Sequence, residues 1–212
     1  KGLALIAPGE GVLSEEGFQR VPQTRAYWVV DPLDGTTNFA TGIPVWAISV
    51  ARFVDGRPSE VFLDVPALGQ RIVALRGRGV MRNEQSLTTA TRQHANSACV
   101  SLCSRSIRVL QRKPNQPFPG KIRLFGVASL NLVSVAMGQT IAALEATPKI
   151  WDLAAAWLVL DELGCPIRWL DIDPAELSPG QDLSQTSFPM LAAGSWSELA
   201  RFLPWGEALL QP

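Results

Sequence analysis

Apolar runs alternate with turn-forming clusters along the chain, and the alternation is enough to draw its elements. Tyr27-Trp28-Val29-Val30 is a short apolar strand that runs into Asp31-Pro32. Residues 45–53 (VWAISVARF) suit a largely buried strand, and Asp55-Gly56 behind them is a hairpin signal. Residues 60–65 and 70–75 read as two more strands, parted by Pro66-Ala67-Leu68-Gly69, so this region predicts an antiparallel meander. Residues 98–102 are a further strand candidate, and Pro114, Pro117 and Pro119 mark a loop that runs to Gly120. The apolar stretch 126–137 predicts a buried helix stopped by Gly138, and 141–145 a strand. Residues 152–163 are apolar around most of a helix circumference, which predicts a second buried helix ended by Gly164. Residues 190–193 and 197–202 give a last strand and a last helix. At the other end, residues 2–7 read as a helix tail running into Pro8-Gly9-Glu10-Gly11. Strands and helices mixed in this way indicate an α/β or α+β layered fold. There is no repeat at a period of about 20–50 residues, and the loop at 114–120 is the one internal boundary.

Composition narrows the chemistry. Of 212 residues 47% are apolar and 18% charged, which is the balance of a chain with a buried core. Nineteen Lys and Arg offset nineteen Asp and Glu, with a pI near 6.8, which argues against a nucleic-acid binder or a polybasic membrane-surface protein. The charges are unevenly spread. From Gln85 to Leu144 there are no acids and seven bases (Arg92, Arg105, Arg108, Arg112, Lys113, Lys121 and Arg123), whereas ten acids face three bases from Glu145 onward. The basic stretch is either a solvated loop or an electropositive rim for an anionic ligand. A single histidine, His94, excludes HExxH zinc hydrolysis and two-His iron sites. It lies in a polar stretch, there is no GxSxG elbow, and it reads as a surface residue. Cys99, Cys103 and Cys165 form no CxxC pair and suggest reduced thiols in a cytoplasmic protein. No run reaches the roughly 18 apolar residues of a membrane span, and the start carries no signal-peptide pattern. Carboxylates, hydroxyls and backbone remain as the toolkit, and these suit hard cations such as Mg2+.

The informative string is Trp28-Val-Val-Asp31-Pro32-Leu33-Asp34-Gly35-Thr36-Thr37-Asn38-Phe39. A strand delivers Asp31, and Pro32 disfavours helical geometry there, so a turn is expected to bring Asp31 and Asp34 together. Two carboxylates at one turn repel unless a positive charge lies between them, and a divalent cation meets that need. The Leu33 carbonyl is a further hard-oxygen ligand within reach. Gly35-Thr36-Thr37 then reads as a helix start whose N–H groups form an anion site. A carboxylate–metal cluster beside a phosphate cradle is the equipment of metal-assisted phosphate ester hydrolysis. The competing reading is a plain capped turn with Asp34 as N-cap. A haloacid-dehalogenase-type mechanism is disfavoured, because Pro32 occupies the place of its nucleophilic aspartate.

The string DPLDGTTNF, with Glu15-Glu16-Gly17 upstream and Trp151-Asp152-Leu153-Ala154-Ala155-Ala156 downstream, resembles the inositol monophosphatase family over residues 12–193 or so. The resemblance implies an αβαβα sandwich with mixed and antiparallel sheets, built as one unit. Residues up to about 110 would form the metal- and phosphate-binding half, and those from about 120 the substrate half. It implies metal ligation by Glu15, Asp31, Asp34, Asp152 and the Leu33 carbonyl, with two or three Mg2+ ions. Gly35 and Thr36 match the phosphate-binding turn, and Thr36 with Glu15 matches the pair that orients and deprotonates the attacking water. Asp31, Glu15 and Thr36 are thus the catalytic set. Gly126, Ala128 and Glu145 match contacts to the alcohol part of the substrate. Asp152 also reads as the N-cap of its helix. The implied reaction is direct in-line attack by water, without a phosphoenzyme, on a small polyol or sugar phosphate. A homodimer is implied as well, and neither a nucleic-acid nor a membrane partner.

Departures from the family pattern bear on substrate. Ile141 stands where many relatives carry Asp, Val127 where many have a small polar residue, and Lys149 where inositol-specific relatives can carry His. Inositol monophosphate, fructose 1,6-bisphosphate, 3'-phosphoadenosine 5'-phosphate and histidinol phosphate are therefore all candidates. A non-catalytic relative that binds phosphorylated metabolites is the rival of another class. The family places a helix pair before the Glu-Glu loop, but only 14 residues precede Glu15 here. The chain is therefore expected to have lost residues before Lys1; without that helix pair, one layer of the sandwich would be missing and a sheet face exposed.

Overall fold

The computed structural model describes residues 2–89, 98–113 and 115–210. Arg92 and His94, and with them the surface expectation for His94, lie outside the described residues. Helix α1 (Gly2–Ile6) leads into strands β1 (Gly11–Ser14) and β2 (Ala26–Asp34), the short helix α2 (Thr36–Ala40), and strands β3 (Ala47–Val54), β4 (Arg57–Val65), β5 (Gln70–Leu75), β6 (Gly79–Arg82) and β7 (Gln85–Leu87). These seven strands form one sheet in chain order, with β1 parallel to β2 and every later pair antiparallel. The expected meander is present. Its β3–β4 hairpin closes through Asp55 (φ 52°) and Gly56 (φ 76°), the left-handed pair that a two-residue type I′ turn requires.

The second half supplies β8 (Cys99–Leu102), α3 (Arg108–Arg112), β9 (Lys121–Arg123), α4 (Ala128–Ala136), β10 (Ala142–Glu145), α5 (Ile150–Glu162), β11 (Ile167–Trp169), β12 (Met190–Ala193) and α6 (Trp196–Glu207). Its five strands form a second sheet in the order β11-β12-β10-β8-β9. The change of sheet falls between Leu87 and Cys99, upstream of the proline-rich loop.

Helix α4 touches both sheets and packs along α5, which lies on the first sheet, and this position explains their composition. With the first sheet on one side and α4 on another, α5 buries every residue from Leu153 to Leu160, so it is apolar all round. Helix α6 covers the far side of the second sheet with Leu199, Phe202 and Trp205. The order is sheet, helices, sheet, helix. Alternation along β3 buries Ala47, Ser49, Ala51 and Phe53 beneath α5 and leaves Ile48 and Val50 half-buried on the other face. Trp28, Val30 and Phe62 share that outer face. Among the described residues no helix is long and apolar enough to cross a membrane.

Several elements escape the pattern. Strands β1, β6, β7, β9 and β11 have three or four residues each, too few to display a period. Helix α6 runs through Pro204 to Glu207 rather than stopping before the proline, because Phe202 and Trp205 anchor both sides of it in the core. Helix α5 starts two residues early. Lys149 is its N-cap and Asp152 its third residue, which corrects the expectation of Asp152 as N-cap.

Candidate functional site

Strand β2 does not turn at Pro32, contrary to the sequence reading; it continues to Asp34. Asp31 pairs with Ser49 and Asp34 with Ala47, so three steps on β2 oppose two on β3. One extra residue is a bulge, and it changes the parity of the strand. Residues three apart in a regular strand face opposite sides; here Asp31 and Asp34 both face inward, 1% and 8% exposed. Asp31 Oδ1 accepts the Leu33 N–H at 2.8 Å, which fills the gap that the bulge opens in the ladder.

The other two acids arrive from opposite ends of the chain. Ser14 pairs with Val30, so the parallel edge strand β1 sets Glu15 beside the Asp31 end of β2. The Glu15 carbonyl accepts from Gln19 Nε2 at 2.7 Å. Asp152 Oδ2 accepts the Lys149 N–H at 2.7 Å, across the first turn of α5. Asp34 reaches the start of α4, where its oxygens accept the N–H groups of Ala128 (3.3 Å) and Ser129 (2.8 Å). A side chain from the first sheet thereby caps a helix of the next layer.

The four acids share one electrostatic environment. Burial, then the charge of Asp34, pushes Asp31 up to about 8, against the pull of the Leu33 N–H. Asp152 rises to about 8 for the same first two reasons, with Glu15 and Glu145 adding to it. Asp34 is also raised, by burial first and by Glu15 last, although three hydrogen-bond contributions from Ser129 and Ala128 oppose this. Among the described residues no lysine or arginine forms an ion pair with any of the four. Nor, among those residues, do three or more His, Cys, Asp or Glu side chains stand close enough together to hold a metal ion as they are. The acids feel one another's charge without meeting.

Gly35 and Thr36 follow at once. Gly35 is left-handed (φ 93°), and a Cβ there would lie 2.7 Å from Val127 Cγ2. Only glycine allows the backbone to come so near the Val127 side chain. Thr36 begins α2 and is exposed, its hydroxyl donating to the Leu33 carbonyl at 3.0 Å. Gly126 (φ 75°) packs against Asn38, whose Nδ2 donates to the Val45 and Phe125 carbonyls, both at 2.8 Å, and so ties the loop before α4 to the loop before β3.

Asp34, Gly126, Ala128, Glu145 and Asp152 line one cavity of about 280 Å³. Glu145 is buried in its wall, and that burial raises it well above its ordinary value. Asn131 Nδ2 donates to Glu145 Oε1 at 2.6 Å, while Asn131 Oδ1 is buried without a partner. Cys103, Arg105 and Thr147 also line it, with Arg105 donating to the Thr147 hydroxyl at 2.8 Å. Arg105 is the one base of the 85–144 stretch that lines this cavity among the described residues. Arg112 is turned to the Ala208 and Leu209 carbonyls and Lys113 to the Trp205 ring. Sequence reasoning missed Asn131, Cys103 and Thr147. Asn131 alone left a signal, as an amide in an otherwise apolar helix.

A sequence model of the inositol monophosphatase family matches residues 1–199. The chain belongs to that family. Among curated relatives it is 36% identical over 177 residues to a histidinol-phosphatase of Mycobacterium tuberculosis, covering 77% of this chain and 66% of the relative. It is 34% identical over 171 residues to the Nus factor SuhB of Xylella fastidiosa, covering 77% and 62%. The chain thus spans just under two thirds of the length of both. A crystal structure of an IMPase/NADP phosphatase, complexed with Mg2+ and phosphate, shares the fold with a TM-score of 0.76 at 23% identity, over all of this chain and 77% of that one. Family membership accounts for the layered fold.

Proposed function

We propose that the protein is a divalent-cation-dependent phosphomonoesterase acting on a small polyol, sugar or amino-alcohol phosphate. One observation carries the reading. Four carboxylates from three distant parts of the chain lie within electrostatic reach of one another, three of them raised by burial and mutual repulsion, with no basic partner among the described residues. Such an arrangement costs folding free energy unless a cation is taken up. Carboxylate and carbonyl oxygens suit a hard ion, and Mg2+ is the expected one. Glu15, Asp31, Asp34, Asp152 and the Leu33 carbonyl would hold it. When bound, the ion supplies positive charge for the phosphate and acidifies water.

The chain's own groups supply the rest. Glu15 and Thr36 orient the attacking water, and Glu15 takes its proton. The N–H groups at Gly35 and Thr36 hold the phosphate oxygens. The cavity beside the acids receives the alcohol, with Glu145 and Asn131 as acceptors for its hydroxyl or ammonium groups and Arg105 at the rim. The phosphatase name of the 36% identical relative supports this reading, and the Mg2+ and phosphate named for the crystal structure of the same fold agree with it. A second reading is a non-catalytic relative that binds phosphorylated metabolites, and the Nus factor name of one relative, which is not an enzyme name, speaks for it.

The two readings separate in one assay. Phosphate release is measured from inositol 1-phosphate, fructose 1,6-bisphosphate, 3'-phosphoadenosine 5'-phosphate and histidinol phosphate, with Mg2+ and with EDTA. Mg2+-dependent release from at least one ester is the expected result. No release from any of them overturns the enzymatic reading.

A further inference from the structure

We propose that Lys149 is a positioning residue. Its side chain fastens the segment 180–184 across the two ends of the acid cluster, and thereby sets how tightly Glu15 and Asp152 take a divalent cation. The inference rests on the reading of those acids as a cation site.

Glu15 and Asp152 are 137 positions apart, one just after β1 and the other in the first turn of α5. Strand β1 is an edge of four residues, held on one side only, by β2. The loop after it needs outside support to keep Glu15 in place. That support comes from the segment 180–184. Gly180 N–H donates to the Val21 carbonyl at 2.8 Å, Val21 N–H to the Gln181 carbonyl at 2.9 Å, and Leu183 N–H to the Gln19 carbonyl at 2.9 Å. Gln19 in turn donates through Nε2 to the Glu15 carbonyl at 2.7 Å. Leu183 is 1% exposed, so the segment is anchored in the core where it meets Gln19.

The other end of the brace is Lys149. Its Nζ donates to the Ser184 carbonyl at 2.9 Å, and its N–H donates to Asp152 Oδ2 at 2.7 Å. One residue therefore holds, with its side chain, the segment that supports the Glu15 loop, and the Asp152 carboxylate with its backbone. The ammonium is directed at Ser184 rather than at the acids, and it is the Lys149 backbone N–H that draws Asp152 downward against its burial. The work of the side chain is mechanical. Partners one step behind a metal ligand commonly alter metal affinity by about 10–100-fold when removed, because they fix the ligand's orientation.

The test uses the full chain, stripped with EDTA and titrated with Mn2+ by calorimetry well below the thermal midpoint. Lys149→Met keeps the aliphatic stem and removes the ammonium. Its Mn2+ affinity is expected to fall roughly tenfold, while Lys149→Arg, which keeps a donor for Ser184, restores most of it. A residue that merely stabilised the fold would lower the thermal midpoint and leave the Mn2+ affinity of the folded protein unchanged. That result for Lys149→Met overturns the proposal. If Lys149→Met does not fold, Gln19→Met breaks the other end of the brace and is judged by the same titration. Wild-type protein that takes up no Mn2+ refutes the cation site itself, a failure distinct from that of the brace.

Discussion

Replacing Asp31 by asparagine tests the electrostatic argument without touching the shape of the site. Asparagine has nearly the same volume and still offers an oxygen to the Leu33 N–H, but it cannot ionise. In the folded chain Asp31 holds its proton up to about 8, against 3.8 as its ordinary value, chiefly because it is buried and next because Asp34 is near. Between those two pH values the folded state binds more protons than the unfolded one, so stability falls as pH rises. Each unit is worth about 1.4 kcal/mol. At pH 7, roughly three units above the ordinary value, the native aspartate thus costs up to about 4 kcal/mol, a ceiling because the neighbouring acids share the charge. Urea unfolding in EDTA is the assay. Asp31→Asn and wild type are expected to be similar near pH 4. The variant becomes the more stable by pH 7, with a gap on the order of 2–4 kcal/mol. Saturating Mg2+ raises the wild type by about 2.7 kcal/mol at a hundredfold excess over Kd and the variant by much less. Turnover of any accepted ester falls by orders of magnitude in the variant. A variant no more stable than wild type at pH 7–8 in EDTA, or a gap independent of pH, refutes the claim that these acids are uncompensated.

Two other outcomes are expected. Because Asp31 and Asp152 are both raised to about 8, Mg2+ binding at pH 7 releases protons, more than one per chain, which calorimetry in buffers of different ionisation enthalpy measures; zero release contradicts the shifts. Gly35→Ala places a Cβ 2.7 Å from Val127 Cγ2 on a backbone at φ 93°, and is expected to cost about 1–3 kcal/mol in denaturant unfolding. Adding Val127→Ala relieves the clash but not the dihedral strain, so recovery is partial; full recovery would assign the whole cost to packing.

Much of the fold was legible because its long elements obey simple periods. The hairpin at Asp55-Gly56, the strands on either side of it and the two buried helices follow from apolar runs, from all-round hydrophobicity and from glycine stops, although β3 proves to alternate where the run read as largely buried. The acids were legible as a set but not as a geometry. The expected turn at Pro32 and the observed bulge both bring Asp31 and Asp34 to one side, and only the pairing with β3 distinguishes them. Register is a property of two strands, so no reading of one can supply it. The same holds for Asp34 as the cap of α4 and for Lys149 as the link to Ser184. Each contact joins segments 35 or more residues apart, with nothing local to announce it. Strands β1, β6, β7, β9 and β11 were missed for a different reason, since their pairing partners, not their own composition, define them.

How the chain tolerates such a cluster follows from the donors it chooses. Asp31 accepts from a strand N–H freed by a bulge, Asp34 from two N–H groups at the start of α4, and Asp152 from the N-cap N–H of α5. Each is a backbone dipole already present in the fold. Together they lower the proton affinity of the acids, but less than burial raises it, since all three shifts end upward. A lysine or arginine among them would neutralise the cluster more completely and stabilise the chain. It would also fill the position a divalent cation needs and present a single charge where two are required. Backbone dipoles fix the direction of each carboxylate without occupying the space between them. The folded state is left carrying an electrostatic cost that binding relieves, so part of its stability is expected to be conditional on the ion.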